Sequence, residues 1–114
     1  MENKQKEELY NILKDPNDKL IAVDLDGTLC EGVFWGDGDP RPLIHRIKYF
    51  NKLYKRGAHI IIYTARQPKW LPETQSWLDK HEVMYHGIMM QKKPGADLYI
   101  DDLALNINDL DIKE

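Results

Sequence analysis

An apolar run that ends in two carboxylates, Leu20-Ile21-Ala22-Val23-Asp24-Leu25-Asp26-Gly27-Thr28-Leu29, constrains this chain more than any other stretch. A short apolar run bounded by turn residues reads as a buried strand. Successive side chains of a strand point to opposite faces. Asp24 and Asp26 therefore share a face at the strand's C-terminal end if the chain stays extended that far. Two like charges side by side are costly unless a cation lies between them. A divalent metal with oxygen ligands, most simply Mg²⁺, meets that need. The competing reading is a solvated acidic turn, which Asp-Gly also marks.

The rest of the chain alternates helical and extended patterns. Residues 2–14 carry Leu9, Ile12 and Leu13 among charged neighbours, a sparse stripe that predicts a short helix packed by one face. Asp15-Pro16-Asn17-Asp18 breaks it, and the first strand follows from Lys19 to about Asp24. Residues 27–42 are rich in glycine and proline and fit a flap hairpin turning at Gly36-Asp37-Gly38. Within it, Phe34 and Trp35 are either local packing or the wall of a pocket above the carboxylates. Ile44, Ile47, Phe50 and Leu53 predict a helix over residues 42–56, with Pro42 in its first turn and Gly57 as its C-terminal cap.

His59-Ile60-Ile61-Ile62-Tyr63-Thr64 reads as a second strand, apolar throughout like one covered on both faces of a parallel sheet. After the loop Ala65-Arg66-Gln67-Pro68, residues 69–81 predict another helix, with Trp70 and Trp77 in the core. A weaker strand lies around Gly87. Lys92-Lys93-Pro94-Gly95-Ala96 is a basic turn, and Asp97-Leu98-Tyr99-Ile100-Asp101-Asp102 is a last strand that again runs into two carboxylates. Strands alternating with helices imply right-handed parallel crossovers and a small parallel sheet covered by helices. One α/β domain over residues 1–114 is expected, with residues 1–15 as a helix packed on its core.

Composition narrows the function classes. The chain is 42% hydrophobic and 31% charged, which suits a packed domain rather than disorder. A net charge of −3 without a basic stripe argues against non-specific nucleic-acid binding. No apolar run approaches the roughly 18–20 residues that span a bilayer. One cysteine, Cys30, has no internal disulfide partner, so a cytoplasmic location is expected.

In an open parallel sheet, ligands bind outside the C-terminal ends of the strands. The polar groups fall there in register: Asp24 and Asp26 after the first strand, Thr64 and Arg66 after the second, Lys92 and Lys93 before the last, Asp101 and Asp102 at its end. The chemistry follows from the types. Carboxylates can hold Mg²⁺ together with water and phosphate oxygens. A carboxylate can also attack phosphorus. A second one can exchange a proton with the leaving oxygen and then with water. A lysine is a compact cation for phosphate, and a threonine hydroxyl with adjacent main-chain N–H groups can bind phosphate oxygens. Arg66 is either a phosphate or specificity residue, or else a surface or salt-bridged arginine.

With these clusters in order, the chain resembles the haloacid dehalogenase superfamily of phosphohydrolases. Asp-Leu-Asp-Gly-Thr-Leu from position 24, Thr64 at a strand end, Lys93 before Pro94, and Ile-Asp-Asp from position 100 look like its four motifs, across residues 20–106. The resemblance implies a three-layer Rossmannoid fold. It makes Asp24 the nucleophile and Asp26 the general acid/base. It also implies Mg²⁺ bound by Asp24, the main-chain carbonyl of Asp26, and Asp102 or Asp101. Phosphate would be held by Thr64 and Lys93, with Leu25, Asp26, Ala65 and Arg66 around it. Asn106 stands where a further acidic residue often occurs, and would orient the metal shell.

Neither residues 27–42 nor residues 64–93 have room for a full cap domain, so the chain is similar to the small capless members. Thr-Ala-Arg from position 64 and the run from Lys93 to Asp102 look similar to phosphatases encoded among bacterial surface-polysaccharide genes, and to some phage proteins. The expectation is a phosphomonoesterase acting on a small phosphorylated metabolite, with a sugar phosphate ahead of a nucleotide. A second subunit could close the open site. The alternatives are a macromolecular phosphatase, a phosphotransferase, and a phosphate- or metal-binding module without turnover.

Overall fold

In a computed structural model, described over residues 3–32, 39–91, 97–100, 110 and 112, strand β1 (Leu20–Asp24) lies at the centre of a parallel sheet. Ile21, Ala22 and Val23 are all fully buried. Neighbouring residues of a strand face opposite sides, so β1 is covered on both faces, as its unbroken apolar run requires. Strand β2 (His59–Thr64) pairs along one edge of β1, from Leu20 with His59 to Asp24 with Tyr63. Strand β4 (Leu98–Ile100) pairs along the other, with Ile21 opposite Leu98 and Val23 opposite Ile100. Strand β3 (Gly87–Met90) lies outside β2, so the sheet order is β3-β2-β1-β4.

This order sets the site. From β1 the chain steps outward to β2 and β3, then crosses to the far side of β1 for β4. The direction of winding therefore reverses between β1 and β4. In parallel α/β sheets such a reversal leaves a crevice outside the C-terminal strand ends. Asp24 closes β1 at that end. The architecture is a small α/β domain compatible with a Rossmann-like fold.

Three helices complete the described fold: α1 (Asn3–Lys14), α2 (Ile44–Lys55) and α3 (Leu71–Lys80). Helix α2 turns Ile47, Phe50 and Leu53 into the core, and α3 turns Thr74, Trp77 and Leu78 inward. Helix α1 contributes Leu13, and Arg56 ties it to the end of α2 by donating to the Leu13 and Lys14 carbonyls. Helix α2 ends in a glycine stop: Gly57 has φ +99, its N–H bonds the Tyr54 carbonyl, and the Ala58 N–H bonds that of Leu53. Among the described residues no helix is long and apolar enough to cross a membrane.

Two boundaries differ from the sequence expectation. Pro42 is not in the first turn of α2. It pairs antiparallel with Cys30, flanked by Glu31 N–H to the Arg41 carbonyl at 3.0 Å and Leu43 N–H to the Leu29 carbonyl at 2.9 Å. These contacts join the two ends of the segment expected to form a hairpin. The helix beyond Arg66 also begins late. Pro68–Trp70 is a 3-10 turn and α3 starts at Leu71. Pro72 explains this, because inside a longer α-helix its ring would meet the carbonyl four residues back. Trp70 is consequently only half-buried, whereas Trp77 is buried with its indole N–H on the Pro40 carbonyl at 2.9 Å.

Candidate active site

The condition for Asp24 and Asp26 to share a strand face is not met. The Leu25 N–H still bonds the Tyr63 carbonyl at 3.1 Å, but the chain then turns. Thr28 and Leu29 both donate to the Leu25 carbonyl, and Gly27 adopts φ +82, a value that favours glycine. Asp24 stays half-buried at the strand end while Asp26 rides on the turn. Arg46 on α2 braces this turn by donating to the Gly27 and Thr28 carbonyls at 3.3 and 3.4 Å.

The Asp26 carboxylate meets groups from the end of β2. Arg66 grips it at two points, Nη2 to Oδ1 at 2.5 Å and Nε to Oδ2 at 3.0 Å. The Thr64 hydroxyl donates to Oδ2 at 3.0 Å. That same hydroxyl accepts the Arg66 main-chain N–H at 3.2 Å, which folds the loop back over the strand end. The Arg66 side chain is 5% exposed, whereas that of Asp26 is 32% exposed. Behind the pair, Arg66 Nη1 donates to Thr74 Oγ1 at 3.3 Å, and the Thr74 hydroxyl passes its own hydrogen to the Trp70 carbonyl at 2.7 Å. Each hydroxyl donates once and accepts once, so both are used consistently.

Cys30 lies on the fourth side. Its thiol is 3.6 Å from the Leu25 carbonyl and 3.9 Å from Asp26 Oδ1. Burial pushes its pKa up to about 12, with the negative charge of Asp26 adding to the rise and Arg66 opposing it.

Several residues singled out in the sequence meet here. Asp24, Asp26, Thr64 and Arg66 lie at the ends of adjacent central strands, and Ala65 is exposed between the last two. Arg66 is salt-bridged, to Asp26. Leu25, expected beside the phosphate, has its side chain fully buried and its N–H on the Tyr63 carbonyl. Phe34, Trp35, Lys92, Lys93, Asp101, Asp102 and Asn106 lie outside the described residues.

Thr74 and Cys30 went unassigned in the sequence. Thr74 was legible only as one position in a core stripe, and nothing in the spacing signalled Cys30. A cleft of about 910 Å³ lies elsewhere. It is lined by Tyr10, Lys14, Tyr49, Arg56 and Leu110, and neither carboxylate reaches it.

The residues present fit a hard divalent cation. Asp24 offers a half-buried carboxylate at the strand end, and the carboxylate of Asp26 is neutralised by Arg66 rather than left to repel it. Among the described residues no three His, Cys, Asp or Glu side chains cluster. Mg²⁺ needs no such cage, because it keeps several waters and takes one or two carboxylates.

Comparison with known proteins places the chain among solved structures. No family model and no curated protein matches it. A protein of known crystal structure from Vibrio cholerae is 33% identical, with a TM-score of 0.64, over 80% of this chain and 85% of that one. A conserved protein from Bacteroides thetaiotaomicron shares the fold at 22% identity and a TM-score of 0.63, over 78% of this chain and 79% of its own. At that identity and coverage, the chain belongs to the same family as the Vibrio cholerae protein.

Proposed function

We propose that the chain is a Mg²⁺-dependent phosphomonoesterase with a capless haloacid dehalogenase-like fold, acting through an aspartyl-phosphate. One observation carries this reading above the others. Asp24 ends the central parallel strand, while Asp26, two residues on, is held by Thr64 and Arg66 from the end of the next strand. A solvated acidic turn has no use for a buried arginine and a buried threonine directed at one of its carboxylates.

In this reading Asp24 attacks phosphorus. Asp26 gives a proton to the leaving oxygen and later takes one from the water that hydrolyses the intermediate. The Thr64 hydroxyl stands at the strand end beside Asp26 and would have to exchange that partner to donate to a phosphate oxygen. The Asp24 carboxylate and the Asp26 main-chain carbonyl would hold Mg²⁺, with Asp102 or Asp101 completing the set. The ion supplies charge neutralisation for the transferring phosphoryl group. Lys93 would hold phosphate and offset the crowded carboxylates.

The substrate proposed is a small phosphorylated metabolite, a sugar phosphate first, in the cytoplasm, with a second subunit as the means of closing an open site. A panel of phosphate esters tests the reading. Phosphate release with Mg²⁺ that stops on chelation and returns on re-addition is expected. Binding of phosphate without release from any ester would instead favour a non-catalytic module.

A further inference from the structure

An arginine beside a phosphate site can bind the substrate directly or act on another protein group. Here the side chain is 5% exposed, so little of it is open to a ligand. Its Nε and Nη2 are on the two oxygens of Asp26, and its Nη1 is on Thr74 of α3, whose hydroxyl is fixed in turn to the Trp70 carbonyl. A guanidinium is a rigid planar fork, so contact at two points fixes the plane of the carboxylate as well as its place. Asp26 keeps 32% of its side chain exposed, and that portion is left to face a substrate.

We infer that Arg66, held by Thr74, is a positioning residue that aims Asp26 at the leaving-group oxygen. The inference rests on the phosphatase reading and goes beyond it by predicting which esters depend on Arg66. In the first step the bond from Asp24 Oδ to phosphorus forms. The bond from phosphorus to the ester oxygen breaks, its electron pair goes to that oxygen, and Asp26, carrying the proton it took from water in the preceding turnover, supplies that proton and is left as the carboxylate that Arg66 holds. In the second step water attacks phosphorus, its proton passes to Asp26, and the bond to Asp24 breaks. An alkyl alkoxide leaves only when protonated, whereas 4-nitrophenolate leaves unprotonated. Misaiming Asp26 therefore penalises alkyl esters selectively.

The test compares kcat/KM for 2-glycerophosphate and 4-nitrophenyl phosphate, a quantity that covers transfer to Asp24, in the parent, Arg66→Met, Arg66→Ala and Thr74→Val. In Arg66→Met the alkyl ester should lose about 100-fold and the aryl ester less than about tenfold. Competitive inhibition by inorganic phosphate should stay within about threefold, because direct phosphate binding is not what is removed. Added guanidinium should restore the alkyl reaction in Arg66→Ala. Thr74→Val, which keeps Arg66 in the chain, should move the ratio the same way by a smaller factor, and it decides the matter if the Arg66 variants fail to fold. Equal losses on both esters, or weakened phosphate inhibition as the main effect, would overturn the inference while leaving the phosphatase reading intact. No release from either ester by the parent would overturn both.

Discussion

The Thr64 hydroxyl donates to Asp26 Oδ2 at 3.0 Å, joining the ends of two adjacent parallel strands across 38 positions of sequence. Thr64 is 1% exposed, and its oxygen also accepts the Arg66 N–H at 3.2 Å. One hydroxyl thus sets both the loop after β2 and the carboxylate after β1. Thr64→Val keeps the shape but orphans a buried N–H and a carboxylate lone pair. It should cost about 1–3 kcal/mol in a denaturant titration and lower turnover, whereas Thr64→Ser should retain most of both.

Cys30 gives a pH dependence of defined sign. Its pKa is raised from 9.0 to about 12 in the folded protein. Between those values the unfolded chain has lost the thiol proton that the folded chain retains. Stability is therefore fully present below about pH 9 and declines as pH rises towards 12. Tyr49 and Tyr85, both raised by burial, act in the same direction at alkaline pH. Thermal melts across that range should show a steeper alkaline decline for the parent than for Cys30→Ala. The native thiol should also resist iodoacetamide at pH 8 until the chain is unfolded.

Gly57 ends α2 at φ +99, and a Cβ there would collide with Asn17 Oδ1 and lie 3.3 Å from the Asn17 Cα. Gly57→Ala should lower stability by about 1–3 kcal/mol from the backbone conformation, with a further loss from the collision. Adding Asn17→Ala should recover only the collision part, which a double-mutant cycle of unfolding free energies would measure.

Trp77 fastens α3 to the chain just before Pro42, through its indole N–H on the Pro40 carbonyl at 2.9 Å, while Lys80 adds an exposed ion pair to Asp39 at 3.3 Å. Trp77→Phe should cost about 1–3 kcal/mol, since it leaves a buried carbonyl unpaired as well as a gap. Lys80→Ala should cost under about 1 kcal/mol, as exposed pairs do. Denaturant midpoints compared side by side would check the ranking.

The strands were legible in the sequence because burial on both faces forces unbroken apolar runs. His59–Thr64 is bounded as expected, and β1 differs by one residue at its start. The start of α2 was not legible, because Pro42 is as acceptable in an extended pair as in a helical first turn, and only its partner Cys30 decides between them. Trp70 was misplaced for a related reason: the stripe fits a helix, but Pro72 delays it. Asp24 and Asp26 were visible as a pair, yet their separation into a strand-end carboxylate and a turn carboxylate depends on Gly27 and on Leu25 accepting two N–H groups. The grip of Arg66 on Asp26 joins residues 40 apart and needs the fold itself.

The central claim is that Asp24 is a nucleophile, and it is tested most directly by phosphate release from 4-nitrophenyl phosphate with Mg²⁺, parent against Asp24→Asn. Circular dichroism and thermal melting establish that the variant is folded. The amide cannot form an acyl phosphate, so the rate should drop by about 10³-fold or more. Folded Asp24→Asn protein that releases phosphate at the parent rate would contradict the account.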